Sequence, residues 1–165
     1  MSLYVVMGVS GCGKSSVAMN LAKALGGEFL DADDFHTEEN KRKMHSCSHL
    51  TDQDREDWLK ELNAELKKRD ATARPTFLAC SALRSSYREQ LKSGLSQLDF
   101  IYLKGSQESI RRRLESRKDH FMPVELLKNQ FETLEEPLPG EAIVISVEET
   151  LPDIIASILS KIHTE

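Results

Sequence analysis

The stretch GVSGCGKSS (8–16) carries Gly8, Gly13, Lys14 and Ser15 in the pattern G-x-x-x-x-G-K-[ST]. Small residues at these positions let a backbone wrap an anion with its N–H groups turned inward. A helix starting there adds partial positive charge. Lys14 is placed to reach the β and γ phosphates of a nucleotide, and the Ser15 hydroxyl to ligate Mg²⁺. The candidate nucleotide-binding set is therefore Gly8, Val9, Ser10, Gly11, Cys12, Gly13, Lys14, Ser15 and Ser16. Cys12 lies near the helix N-terminus, where a thiolate would be stabilised. It equally suits a position that needs only a small side chain.

Holding phosphates does not say what becomes of them. A GTP switch carries N-K-x-D to read its base, and NKRK (40–43) lacks the aspartate. A motor or transporter ATPase usually ends an apolar strand in a carboxylate, and TFLACSAL (76–83) has none. Acidic residues crowd instead in FLDADDFH (29–36), as Asp31, Asp33 and Asp34. Alternate residues of an extended segment share a side, so Asp31 and Asp33 can face one ligand. Phosphoryl transfer to a hydroxyl needs positioning, Mg²⁺ and a carboxylate to take the proton. Turn and helix-cap aspartates are the plainer reading of the same residues. The basic run RRRLESRK (111–118) is the second discriminating feature. Arg113 and Arg117 stand four apart, on one helical face. Arginines of a closing lid stabilise charge on a transferring phosphoryl group; a solvated helix face would look similar.

These groups need a scaffold. LYVVM (3–7), EFLD (28–31), TFLAC (76–80), FIYL (100–103) and AIVIS (142–146) are short continuous apolar runs. Such runs suit parallel strands covered on both faces. Val17, Leu21 and Leu25 space a helix that Gly26-Gly27 ends. Trp58, Leu59, Leu62 and Leu66 mark a helix near 52–69, capped by Thr51 or Asp52. Further helices are expected near 84–93 and 106–117. Pro123 can open another, with Leu127, Phe131 and Leu134 inward. Ile154, Ile155, Ile158, Leu159 and Ile162 define the last. The alternation predicts an α/β fold with a parallel sheet between helices.

The 165 residues make one domain, 1–165, with room for a core. With 30% charged and 39% hydrophobic residues the chain reads as soluble and globular. The net charge of −5 argues against a nucleic-acid partner. No apolar run approaches a membrane span, and no signal segment opens the sequence, so no membrane association and a cytoplasmic location are expected. Cys12, Cys47 and Cys80 suggest neither a disulfide framework nor a zinc set.

Taken together, the motifs resemble the gluconokinases of the shikimate-kinase-like P-loop kinases, over nearly the whole chain. MGVSGCGKS (7–15) looks like that family's opening loop. LDADDFHTEENKRKM (30–44) is similar to its acidic segment followed by H-x-x-x-N-x-x-K-M, here His36, Asn40, Lys43 and Met44. LTDQDREDWL (50–59) resembles its N-D-x-D-R-x-x-W-L element, and CSALRSSYR (80–88) its C-S-A-L-K-x-x-Y-R. IYLKGS (101–106) and RLESRKDHFMPVELLKNQFETLEEP (113–137) resemble its lid and the helix after it. Thr51 stands for the usual asparagine, Arg84 for the usual lysine, and HSCSHL (45–50) lacks the usual glycines and proline.

The resemblance implies ATP-dependent phosphorylation of D-gluconate at its 6-hydroxyl, feeding the pentose phosphate route. It implies a three-layer P-loop kinase fold, a five-stranded parallel sheet in the order 2-3-1-4-5, a helical lid at about 111–134, and the homodimer often found in the family. Lys14, Asp33 and Arg117 would be catalytic, with Asp33 the base. Ser15 and Asp31 would serve Mg²⁺, and Arg113 and Arg117 would close on ATP. His36, Lys43, Arg55, Arg84, Arg88 and His120 are the cationic or switchable groups available to a polyol carboxylate, with Arg55 and Arg88 expected nearest to it. A same-fold kinase for shikimate or another small acceptor, and a nucleotide sensor without transfer activity, are the competing readings.

Overall fold

The structure is a computed structural model that describes residues 2–45, 51–116 and 124–162. Its centre is a five-stranded sheet of β1 (Leu3–Met7), β2 (Glu28–Asp31), β3 (Thr76–Ala79), β4 (Asp99–Lys104) and β5 (Ile143–Ser146). The order is β2-β3-β1-β4-β5, and all four pairings are parallel.

Helices α1 (Lys14–Leu25) and α7 (Leu151–Ile162) cover one face. Helices α3 (Asp52–Asp70) and α4 (Ser85–Lys92) cover the other. Alternation along β1 divides the core between them. Tyr4 and Val6 join Val17, Leu21, Phe77, Ile101, Ile154 and Ile158 on the α1 side. Leu3, Val5 and Met7 join Leu59, Leu62, Leu66, Leu78 and Leu91 on the α3 side. β1 and β3 are buried at every residue, as strands covered on both faces must be. The edge strands differ. β2 is half-buried throughout, and Val144 of β5 is exposed, because each has a neighbour on one side only.

Helix ends follow local chemistry. Gly26 closes α1 in the left-handed conformation. Thr51 caps α3 through a complete capping box: its hydroxyl accepts from the Asp54 N–H at 3.1 Å, and the Asp54 carboxylate accepts from the Thr51 N–H at 2.9 Å. Two elements lack the apolar spacing that marks the others. A 3₁₀ turn spans Ala32–Phe35, and α2 spans Glu38–His45 through the polar string EENKRKMH. The Thr37 hydroxyl supports the start of α2 by accepting from the Asn40 N–H at 3.1 Å. Helix α5 is Gln107–Glu115 and α6 is Val124–Thr133. Among the described residues no helix is long and apolar enough to cross a membrane.

Candidate functional site

The loop between β1 and α1 lies at the carboxyl ends of the parallel strands, where ligands bind in open α/β sheets. Its start is held by the Gly8 N–H, which donates to the Ser81 carbonyl at 3.3 Å. Gly8 adopts φ 146°, and a β-carbon there would meet the Cys12 sulfur at 2.7 Å. Cys12 thus fills the space that Gly8 leaves, and it is only 2% exposed. It is a packing residue of the loop. Lys14 opens α1, and Ser15 follows half-buried, with Ser16 exposed.

Across from the loop, β2 ends at Asp31. The Asp31 carboxylate accepts from the Ser15 hydroxyl at 3.4 Å and from the Asp33 backbone N–H at 3.0 Å. It is both the cap of the 3₁₀ turn and a neighbour of the loop serine. Asp33 is open to solvent, yet enough protein surrounds it that partial desolvation raises its pKa above 3.8. The Asp31 charge raises it further, and Lys14 pulls it down. Two carboxylates, an ammonium group and a hydroxyl therefore share one locale. Among the described residues no group of three metal-ligating side chains occurs. A carboxylate and a hydroxyl suffice for nucleotide-bound Mg²⁺, which takes few protein ligands and fills its sphere with phosphate oxygens and water.

The next turn carries His36. It is 7% exposed and stacks on Trp58 with ring centroids 4.0 Å apart. The Trp58 indole N–H donates to the Ala32 carbonyl at 2.8 Å, tying α3 to the acidic turn. Burial, then Arg55, then Lys41 lower the His36 pKa to about 4. At neutral pH His36 therefore offers hydrogen bonds and no charge. Its Nδ1 is buried without a hydrogen-bond partner.

Arg55 donates to the Tyr87 hydroxyl at 3.3 Å and lies 5.6 Å from that ring's centroid. Tyr87 in turn donates to Asp52 at 3.3 Å. Lys43 is ion-paired with Asp54 at 2.9 Å, which helps hold that carboxyl near a pKa of about 2; the Thr51 N–H is the larger cause. Arg84 is exposed at the start of α4. Arg88 points inward and is 7% exposed. Its guanidinium donates to the Ala82 carbonyl at 2.7 Å and the Glu135 carbonyl at 2.8 Å. It braces the loop after β3, where Ala82 adopts φ 44°, against the segment after α6. Arg88 thus bonds to backbone, where a group facing the acceptor was expected.

The basic helix also meets the loop. Arg113 donates to the Cys12 carbonyl at 3.3 Å. Leu114 packs against Gly11, where a β-carbon would lie 2.7 Å from Leu114 Cγ. Arg117 and His120 lie outside the described residues. Between α5 and the segment entering α7 is a cavity of about 390 Å³, lined by Arg112, Arg113, Ser116, Val147, Glu148 and Thr150 among others.

Gln130 was not among the sequence candidates. Its Oε1 accepts from the Ser10 N–H at 2.7 Å, and its Nε2 donates to Ser10 Oγ at 3.0 Å. The available signal was its position, three residues after inward-facing Leu127.

A phosphate loop beside paired carboxylates, on a 2-3-1-4-5 parallel sheet, defines a P-loop kinase of small molecules. The comparisons with known proteins agree. A family model described as an AAA domain matches residues 3–137. The chain is 42% identical to the thermoresistant gluconokinase of Escherichia coli (strain K12), over 97% of this chain and 93% of that one. It is 44% identical to a probable gluconokinase of Mus musculus, over 95% of each. The crystal structure of a gluconokinase from Sinorhizobium meliloti 1021 superposes with a TM-score of 0.85 at 41% identity, covering 96% of this chain and 90% of that one. The chain belongs to the gluconokinase family.

Proposed function

We propose that this protein transfers the γ-phosphoryl group of ATP to the 6-hydroxyl of D-gluconate, giving 6-phospho-D-gluconate and ADP. The family supplies the donor and acceptor. The observation that carries the chemistry is the contact of Ser15 with Asp31 and of Asp31 with the Asp33 N–H. It ties the Ser15 hydroxyl of the loop to the acidic turn that carries Asp33.

The loop N–H groups and Lys14 hold the phosphates and offset their charge. Ser15 and Asp31 would hold Mg²⁺, which screens the phosphate oxygens and favours charge developing toward the leaving group. Asp33 accepts the proton of the acceptor hydroxyl as its oxygen bonds to phosphorus and the bond to the ADP oxygen breaks. Its pKa, raised by desolvation and by the Asp31 charge, makes it a better base than an ordinary aspartate. Arg113 stands at the loop, and the cavity beside it suits the nucleotide base, since a guanidinium plane stacks on flat rings. Arg55, and neutral His36 stacked on the Trp58 that is tied to the acidic turn, are assigned to the acceptor's carboxylate and hydroxyls. Arg117 in the lid is assigned to the transferring group.

The test is ADP release with ATP and Mg²⁺ over a panel of D-gluconate, related sugar acids, shikimate and nucleoside monophosphates. Gluconate should give the highest kcat/KM, and Lys14→Ala should abolish turnover. A preference for another acid would keep the kinase reading and replace the acceptor. No turnover with any acceptor would favour a nucleotide sensor.

A further inference from the structure

We propose that Gln130 is a positioning residue for phosphoryl transfer, acting through Ser10 to set the shape of the phosphate loop. The two residues are 120 positions apart, and the contact uses both ends of the amide on one partner. Gln130 Oε1 accepts from the Ser10 N–H at 2.7 Å, while Nε2 donates to Ser10 Oγ at 3.0 Å. A two-point contact fixes orientation as well as distance.

Its location gives it leverage. Ser10 follows the Gly8 contact to Ser81 and is the first central residue of the turn closed by the Cys12 N–H on the Val9 carbonyl at 3.2 Å. Arg113 and Leu114 of α5 hold the loop at Cys12 and Gly11. Gln130 is the matching hold from α6. The Ser10 N–H is committed to Gln130, so the phosphates are left to the N–H groups further along, whose direction depends on how Ser10 is held. Reacting groups displaced by about 1 Å can lose on the order of 10²-fold in rate.

The two hydrogen bonds can be separated from packing by chemistry. Gln130→Ala removes both. Gln130→Glu keeps an acceptor for the Ser10 N–H, and its second oxygen can accept from the Ser10 hydroxyl. The added negative charge near the phosphates should raise KM for ATP while leaving the loop shape intact.

The experiment is steady-state kinetics of both variants at saturating ATP, with thermal melts as the check on folding. The inference rests on the phosphoryl-transfer reading. Rates are therefore expressed relative to wild type on whichever acceptor the wild type phosphorylates, so a wrong acceptor and a wrong role for Gln130 remain distinguishable. Gln130→Ala should lower kcat about 10-fold or more with little change in KM for the acceptor. Gln130→Glu should recover most of that loss in kcat. An alanine variant within about twofold of wild-type kcat, or a glutamate variant as slow as the alanine one, would overturn the proposal.

Discussion

His36 should make the folded protein acid-sensitive in a defined window. It is buried against Trp58 beside Arg55, and these surroundings lower its pKa from 6.5 to about 4. Protonation is then easier in the unfolded chain than in the folded one. The contribution is therefore present above pH 6.5, is lost as pH falls toward about 4, and changes no further below that. At about 1.4 kcal/mol per pH unit the full loss is about 3 kcal/mol, of which about 2 kcal/mol falls between pH 7 and pH 5. Other groups titrate in the same range, so the measurement is a difference. Urea unfolding of wild type and His36→Phe would be followed from pH 7 to pH 5 by the fluorescence of Trp58, the chain's single tryptophan. Phenylalanine keeps an aromatic ring on Trp58 and removes the titration. Wild type should lose about 2 kcal/mol more than the variant across that interval. Equal losses in the two proteins would show that burial of His36 does not set this acid sensitivity.

Arg88→Ala should destabilise the fold by about 2–4 kcal/mol, because it strips the guanidinium from two backbone carbonyls at a nearly buried site. Arg88→Lys should recover only part, since one ammonium cannot reproduce the fork; urea unfolding of both variants checks this. Cys12 and Cys80 should resist alkylation in the native protein, as both are buried and burial pushes the Cys80 thiol up to about 12. Mass spectrometry of peptides labelled with and without urea reads this, and native labelling at Cys12 would contradict its packing role. Asp31→Asn should move the acid limb of kcat/KM to lower pH, because the Asp31 charge raises the Asp33 pKa; a limb that stays in place would show that Asp33 is not the group titrating.

The elements that bury an apolar stripe were legible in the sequence. β1 and β3 read as continuous apolar runs, and Leu59, Leu62 and Leu66 repeat at helical spacing and fill the core. The order 2-3-1-4-5 came from resemblance, since spacing alone does not say which strands pair. Helix α2 was not legible, because EENKRKMH has no apolar periodicity. It is held by polar contacts to distant residues, such as Lys43 to Asp54 and the Asn40 amide to the Asp54 carbonyl at 3.3 Å. The same limit governs the site. Loop glycines, Lys14 and Ser15 form a local motif whose spacing is its mechanism. The inward turn of Arg88, the neutral state of His36 and the grip of Gln130 on Ser10 depend on residues that meet only in the fold. A sequence names such a side chain without showing which way it points.

Asp33, in the acidic turn whose N–H contacts Asp31, is proposed to take the proton from the acceptor hydroxyl. Asp33→Asn keeps the size and the backbone turn and removes the base. Its kcat with ATP and D-gluconate, measured with ATP binding by calorimetry, reads the loss of the base. The variant should lose about 10²–10⁴ in kcat with ATP affinity little changed. Turnover within about twofold of wild type, at intact ATP binding, would contradict it.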